Sequence, residues 1–332
     1  MTASIYPFLL FILLGGFSAC QAQPNHTMSD KNTANPLLCD PEKGICEIPS
    51  ANPSTTDARV STGSKAVKII YFTDPICSSC WGIEPQLRRL KLEYGADVEV
   101  EYHMGGLLPD WSYNSGGISK PSDVAHHWDE VSRYYQMPID GNVWLEDPLD
   151  SSYPPSIAFK AAELQDHEKA LKFLRILREK VFLEKKNIAK WEHIAAAALA
   201  AGLDVEALKK DYESTAKADF QKDLELARQL GVRGFPTLFV TNAAGNQETV
   251  YGFRPYADFE NAIRRVYPEI PKANYANDWQ SLFATYSTLT TREFAELRDI
   301  SIPVAAEQLE ALVRANKILK VDTRNGAIWI RK

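Results

Sequence analysis

Two cysteines two residues apart, Cys77 and Cys80 in "TDPICSSCWGIEP", are the side chains whose type and spacing point most directly to chemistry. Such a pair exchanges disulfides when one sulfur attacks as a thiolate and the other, one helical turn along, resolves the mixed disulfide. A metal site and an inert buried pair are the competing readings. Cys39 and Cys46, in "CDPEKGIC", would bring the thiolates to four, but their spacing is wider than that of a zinc knuckle. The Asp, Pro and Gly between them bend the chain so that the two sulfurs can meet. That loop reads as a local staple, worth about 2 kcal/mol through restriction of the unfolded chain, or as a second thiol pair exchanging with the first.

The elements around Cys77 and Cys80 favour exchange. "VKIIYF" (67–72) is a buried-strand pattern, and Trp81, Leu87, Leu90 and Leu92 follow with helical spacing. Cys77 therefore opens a helix, where free N–H groups and the positive end of the dipole favour a thiolate and make it the attacking sulfur. Cys80 lies on the same face as the resolving thiol. Pro85, inside the predicted helix, calls for a kink.

A second landmark lies far along the chain. "LARQLGVRGFPTLFVTNAAG" reads as helix, glycine turn and a strand opening at proline, and with the first motif it resembles the thioredoxin-like superfamily. The resemblance implies that Pro236 is cis and faces the cysteines, flanked by Phe235 and Thr237 as substrate-binding positions. "DVEVEYHM" (97–104) and "NQETVYGF" supply further strands, "PYADFENAIRRVY" a closing helix, and amphipathic segments from about 106 to 230 form a large helical insertion. This layout is similar to the DsbA family. "DPICSSCWGIEP", "HMGGLLPDW" and "LGVRGFPTLFV" narrow the resemblance to the group holding FrnE-like dithiol oxidoreductases and the SpxH adaptors of the ClpXP protease, over roughly residues 66 to 270. It implies Cys77 as nucleophile and Cys80 as resolving thiol. Ser78 and Ser79 stand where the strongly oxidising DsbA motif has a histidine, so kinship does not set the redox direction among oxidase, reductase and isomerase.

The chain has 332 residues, 45% of them hydrophobic, and a formal charge of -6. That is ample for a sizeable core and carries no basic footprint for nucleic acid. "IYPFLLFILLGGF" has the length of a signal-peptide core, and the "FSAC" after it resembles a bacterial lipoprotein box with Cys20 as the lipid anchor. The expectation is a leader over 1–22, a polar tether with the Cys39/Cys46 loop over 23–65, and export to the bacterial periplasm as a membrane-anchored lipoprotein. The SpxH adaptors are cytosolic, which sets an adaptor role against that expectation.

After the DsbA-like thioredoxin domain (66–272), residues 273–332 read as three short helices, the second opened by a capping box of Thr290 and Glu293, and a hairpin around Asn325-Gly326. This resembles a winged-helix unit, although Glu307 and Glu310 suit a protein contact better than DNA. Other residues take structural readings. His126 and His127 are neighbours on a helix and point apart. Trp81 and Trp111 are packing residues, the charges of "ILREKVFLEKKN" form a solvated helix face, and His103 could approach the site from its strand.

The fold class expected is α/β, thioredoxin-like with a helical insertion and a small C-terminal α+β unit. The function expected is protein thiol–disulfide exchange in the cell envelope with protein thiols, protein disulfides and a redox partner protein, requiring no cofactor or metal. The alternative is a redox-sensitive adaptor without essential turnover.

Overall fold

The computed structural model describes residues 39–40, 44–47, 65–112 and 120–332; the leader, Cys20 and most of the tether lie outside the described residues. All described residues belong to one compact unit, Thr33–Lys332. Two short strands come first, β1 (Cys39–Asp40) and β2 (Ile45–Glu47), antiparallel with Cys39 opposite Cys46.

The central strand is β3 (Val67–Thr73). Its alternation splits the interior in two, as a strand covered on both faces must. Val67, Ile69 and Tyr71 enter one core while Ile70 and Phe72 enter the other. A short helix α1 (Ser78–Gly82) and a longer α2 (Glu84–Tyr94) follow, then β4 (Val98–Met104), which pairs parallel with β3. The predicted single kinked helix is thus two helices, divided at Ile83. Pro85 falls in the first turn of α2, where its missing N–H has no intrahelical partner to lose.

Among the described residues the regular elements of the insertion are helices: α3 (Pro121–Tyr135), α4 (Val143–Glu146), α5 (Tyr153–Glu163), α6 (His167–Phe182), α7 (Trp191–Ala201), α8 (Val205–Glu213) and α9 (Thr215–Gln229). Its core stacks Trp81 on Phe182 at 5.5 Å and sets Trp111 edge-on to Trp144 at 5.9 Å, so both tryptophans pack as expected. The chain returns through β5 (Gly234–Phe235), β6 (Thr237–Asn242), β7 (Gln247–Tyr251) and α10 (Tyr256–Val266). The central sheet has the order β4-β3-β6-β7. Register places Thr237 beside Phe72, so the start of β6 lies at the end of β3 from which the cysteine loop departs.

The C-terminal segment forms α11 (Trp279–Thr285), β8 (Thr288–Thr290), α12 (Thr291–Arg298), α13 (Ile302–Arg314), β9 (Ile318–Thr323) and β10 (Gly326–Arg331), with the sheet order β8-β10-β9. The three helices, the hairpin and the Thr290/Glu293 capping box are present, and β8 adds a third strand. Asn325 does more than turn the hairpin: its amide donates to Asp129 Oδ1 (2.9 Å) and to the Ile139 carbonyl (2.7 Å) on the insertion. Glu293 is wholly buried. It receives Arg175 of α6 at 2.6 Å and Arg88 of α2 at 3.2 Å, and burial is overcome by these two cations in holding its carboxyl below the usual range.

Candidate active site

Cys77 caps α1. Its backbone is extended, its N–H donates to the Asp74 carbonyl (3.2 Å), and its sulfur accepts the Cys80 N–H at 3.1 Å. Both thiols are free and 0% exposed. The loop before them is fixed by Asp74, whose Oδ1 accepts the Ile76 N–H (3.0 Å) and whose Oδ2 accepts the Leu107 N–H (2.8 Å) and the Ser152 hydroxyl (2.9 Å). Burial pushes the Asp74 carboxyl up to about 6, although all three donors resist the rise.

Behind the thiols lies Arg178, also 0% exposed. It pairs with Glu84, donates to Thr73 Oγ1 at 2.6 Å and reaches the Asp74 carbonyl at 3.4 Å. This corrects the reading of "ILREKVFLEKKN" as a solvated face. Exposed Lys186 fits it, whereas Arg178 turns inward because Glu84, from a distant part of the chain, meets it there. Arg175, one turn earlier, lies over the Trp81 ring at 4.4 Å.

The two sulfurs shift each other's titration in opposite directions. Burial, then the hydrogen bond and charge of Cys80, push the Cys77 thiol well up, while the Cys80 N–H acts in the opposite sense. Cys80 moves down despite its own burial, because the Cys77 thiol donates to it and the Arg178 guanidinium attracts its charge. Helical position alone favours a thiolate on Cys77; burial opposes it there, while the Cys77 hydrogen bond and the Arg178 cation favour charge on Cys80.

The Phe235–Pro236 peptide is cis. The edge beside it is occupied: β2 pairs antiparallel with β5, setting Cys46 opposite Phe235 and Glu47 opposite Gly234. Cys46 is disulfide-bonded, and its Sγ lies 3.5 Å from Cys77 Sγ and 3.4 Å from Ser79 Oγ. Cys46 thus touches both landmarks, the cysteine pair through its sulfur and the cis-proline turn through its backbone. Ser79 also hydrogen-bonds the Tyr135 hydroxyl at 2.7 Å, which gives the dipeptide between the cysteines a packing role. Thr237 turns its hydroxyl to the Gly234 carbonyl (2.7 Å). Gly105, in the "HMGGLL" motif, is required by close approach: a Cβ there would lie 1.8 Å from the Phe235 ring.

His103 does not join the thiols. It stacks on Phe72 and bonds Asp223 on α9 at 2.7 Å, and these partners, Asp223 and then Glu101, outweigh its burial and raise it to about 8. His126 is exposed and pairs with Glu130 at 3.1 Å. Among the described residues no group of three or more His, Cys, Asp or Glu side chains could hold a metal ion. A cleft of about 690 Å³ between α2, α6 and residues 283–288 contains neither thiol. Sequence reasoning missed Asp74, Arg178 and Gly105; Asp74 and Gly105 stood inside quoted motifs without an assigned role.

A free, buried dithiol at the mouth of a helix, a cis-proline turn and a strand edge between them define a thioredoxin-like fold with a helical insertion. A family model described as Thioredoxin matches residues 71–261, and the chain belongs to that family. Its relatives include the ClpXP adapter protein SpxH of Halalkalibacterium halodurans, 33% identical over 301 residues that span 89% of this chain and 97% of that one. SpxH of Bacillus subtilis is 30% identical over 270 residues, 80% of this chain and 89% of the relative. A solved structure from Nitrosomonas europaea, provisionally assigned as a protein disulfide isomerase, superposes with a TM-score of 0.51 at 23% identity, covering 61% of this chain and 96% of that one, and so shares the fold.

Proposed function

We propose that the protein is a protein dithiol–disulfide oxidoreductase. Cys77 is the sulfur that enters and leaves mixed disulfides, Cys80 resolves them, and the edge formed by Phe235, Pro236 and Thr237 receives the partner strand. The observation that carries this reading is the placement of a bonded sulfur, that of Cys46, on that edge and within 3.5 Å of Cys77. The proline has no N–H to donate toward the sulfur or to an added strand, and Cys80, drawn down by Cys77 and Arg178, is placed as the resolving nucleophile. The reaction needs no bound cofactor. Cys77→Ser is expected to abolish thiol-dependent reduction of insulin and thiol oxidation of a reduced peptide; full activity in that variant would remove the assignment.

The names of the relatives favour a second reading, in which the same fold serves as an adapter and the thiols change its shape rather than turn over. Partner binding that survives Cys77→Ser unchanged would support it. We further propose that the chain is exported and anchored through lipid on Cys20. Cys20→Ala should release the protein from the membrane fraction, and continued membrane association would remove the lipid-anchor claim.

A further inference from the structure

The thiols that should meet a partner protein are closed off by the chain's own N-terminal segment. Cys77, Cys80 and Phe235 are each 0% exposed, and the strand lying over them is β2. Its seat is shaped in detail. Gly234 lets the strand approach, since a Cβ there would lie 2.6 Å from the Cys46 carbonyl. Gly44 adopts φ 64° and packs so tightly that a Cβ would fall 2.5 Å from that of Phe253. The Gly44 carbonyl accepts the Phe253 N–H at 2.5 Å. A segment that merely blocked the groove would need none of its sulfur chemistry at the thiols, yet Cys46 Sγ is delivered to near-attack distance, about 3–3.5 Å for reacting atoms.

We propose that Cys46 and its disulfide partner, by sequence Cys39, are a second redox centre that exchanges its disulfide with Cys77 and Cys80 inside one molecule and passes it to or from an outside protein. The inference rests on the oxidoreductase reading and names the route by which the enclosed site reaches a partner. Cys77 gives its proton to the Cys80 thiolate and attacks Cys46 Sγ. A Cys46–Cys77 bond forms, the Cys39–Cys46 bond breaks, and Cys39 leaves as a thiolate. Cys80 then loses its proton to solvent, attacks Cys77 Sγ and expels Cys46 as a thiolate. Two electrons have passed from one dithiol to the other disulfide, the oxidation state of the whole chain is unchanged, and no outside oxidant is consumed. The reduced Cys39/Cys46 pair, on a segment able to leave the groove, exchanges in turn with a protein disulfide; the reverse sequence delivers oxidation.

The test is connectivity against time. Full-length protein carrying one disulfide per four thiol positions, prepared by limiting reduction, is quenched by acid and alkylation at intervals and its disulfide-linked peptides are mapped. The expected result is interconversion of Cys39–Cys46 and Cys77–Cys80 at a rate independent of protein concentration, with a Cys46–Cys77 link as a minor species that grows in Cys80→Ala. Gly234→Ala, which leaves every sulfur in the chain, should slow the interconversion by about tenfold or more by shifting Cys46 from the edge. In turnover, Cys39→Ala should depress insulin reduction by about tenfold, since loss of a productively positioned partner is worth at least that much. The proposal is overturned if the two pairs never interconvert within one molecule, or if Cys39→Ala together with Cys46→Ala leaves turnover unchanged or raises it, the behaviour of a plug. These results separate the two claims: turnover lost in Cys77→Ser without internal exchange leaves the oxidoreductase and removes the relay, whereas internal exchange without turnover on any outside protein leaves the relay and removes the enzyme.

Discussion

Replacing Arg178 by methionine, which keeps most of the side chain's bulk, separates the structural from the electrostatic role of the cation behind the thiols. In the native protein the guanidinium holds Glu84, Thr73 and the Asp74 carbonyl with no exposure to solvent. Removing one member of a buried pair costs about 3–5 kcal/mol. Here the low end, about 3 kcal/mol, applies, because Glu84 keeps some solvent contact and a second cation, Arg175, at 3.8 Å. The same substitution withdraws the positive charge that holds Cys80 down. An adjacent opposite charge is worth about one to three pKa units, so the thiolate titration should move up by about one unit, leaving about tenfold less thiolate at a fixed pH below it. Urea unfolding measures the first effect and thiolate ultraviolet absorbance against pH the second. In the double variant Glu84→Gln with Arg178→Met, much of the stability should return, since no buried charge is stranded, while the thiolate titration should stay displaced. An unchanged thiolate titration in Arg178→Met would refute the electrostatic role, and wild-type stability in that variant would refute the account of the buried pair.

Gly105→Ala drives a methyl group into the Phe235 ring. Urea unfolding should show a loss of about 1–3 kcal/mol, the range for overpacking, and insulin reduction should fall with it because Phe235 carries the partner edge. His103 has a folded pKa of about 8 against an ordinary 6.5, so its pairing with Asp223 is fully present below pH 6.5 and lost as the pH rises through 8. The rise from 6.5 to about 8 corresponds to about 2 kcal/mol, and His103→Gln should flatten stability against pH across that window. Glu293→Ala leaves Arg175 and Arg88 facing each other in a buried site, at a cost of about 3–5 kcal/mol. Limited proteolysis should then cut first between 267 and 279. Because the Glu293 carboxyl is held low, its contribution is present above the ordinary glutamate pKa and lost on acidification through the folded value, so the wild-type C-terminal unit should loosen in acid.

The parts of this molecule that were legible in the sequence are those whose signal is local. The alternation of 67–73, the helical spacing after Cys80, the proline opening β6 and the Thr290/Glu293 box each depend on residues within a turn or a strand of one another. The pairing of Cys46 with Phe235 crosses most of the chain, and a strand of three residues after a turn has no periodicity to announce it. Arg178 is similar: in a run of mixed charges on one helix, an inward cation is invisible until its carboxylate, Glu84, is placed opposite. The argument from the helix end to the Cys77 thiolate likewise includes neither that cation nor the covering strand, since both come from distant parts of the chain. Pro85 gave the position of a break but not its degree, because a proline in a first turn and one in mid-helix look alike before the helix start is known.

The stretch that joins α10 to α11 looks in the sequence like a seam along which the molecule was assembled. Its atoms are stitched down on both sides: the Ala273 N–H is given to the Glu93 carbonyl at 2.8 Å, Lys272 bonds Glu93 at 2.9 Å, and the Tyr275 hydroxyl reaches the Leu297 carbonyl at 2.7 Å. With Glu293 supplying the counter-charge for Arg175 and Arg88, a chain ended at residue 272 would keep every element of the thioredoxin-like core and still be left with two cations facing an emptied interface. The C-terminal unit is therefore a load that cannot be detached without rewriting α2 and α6.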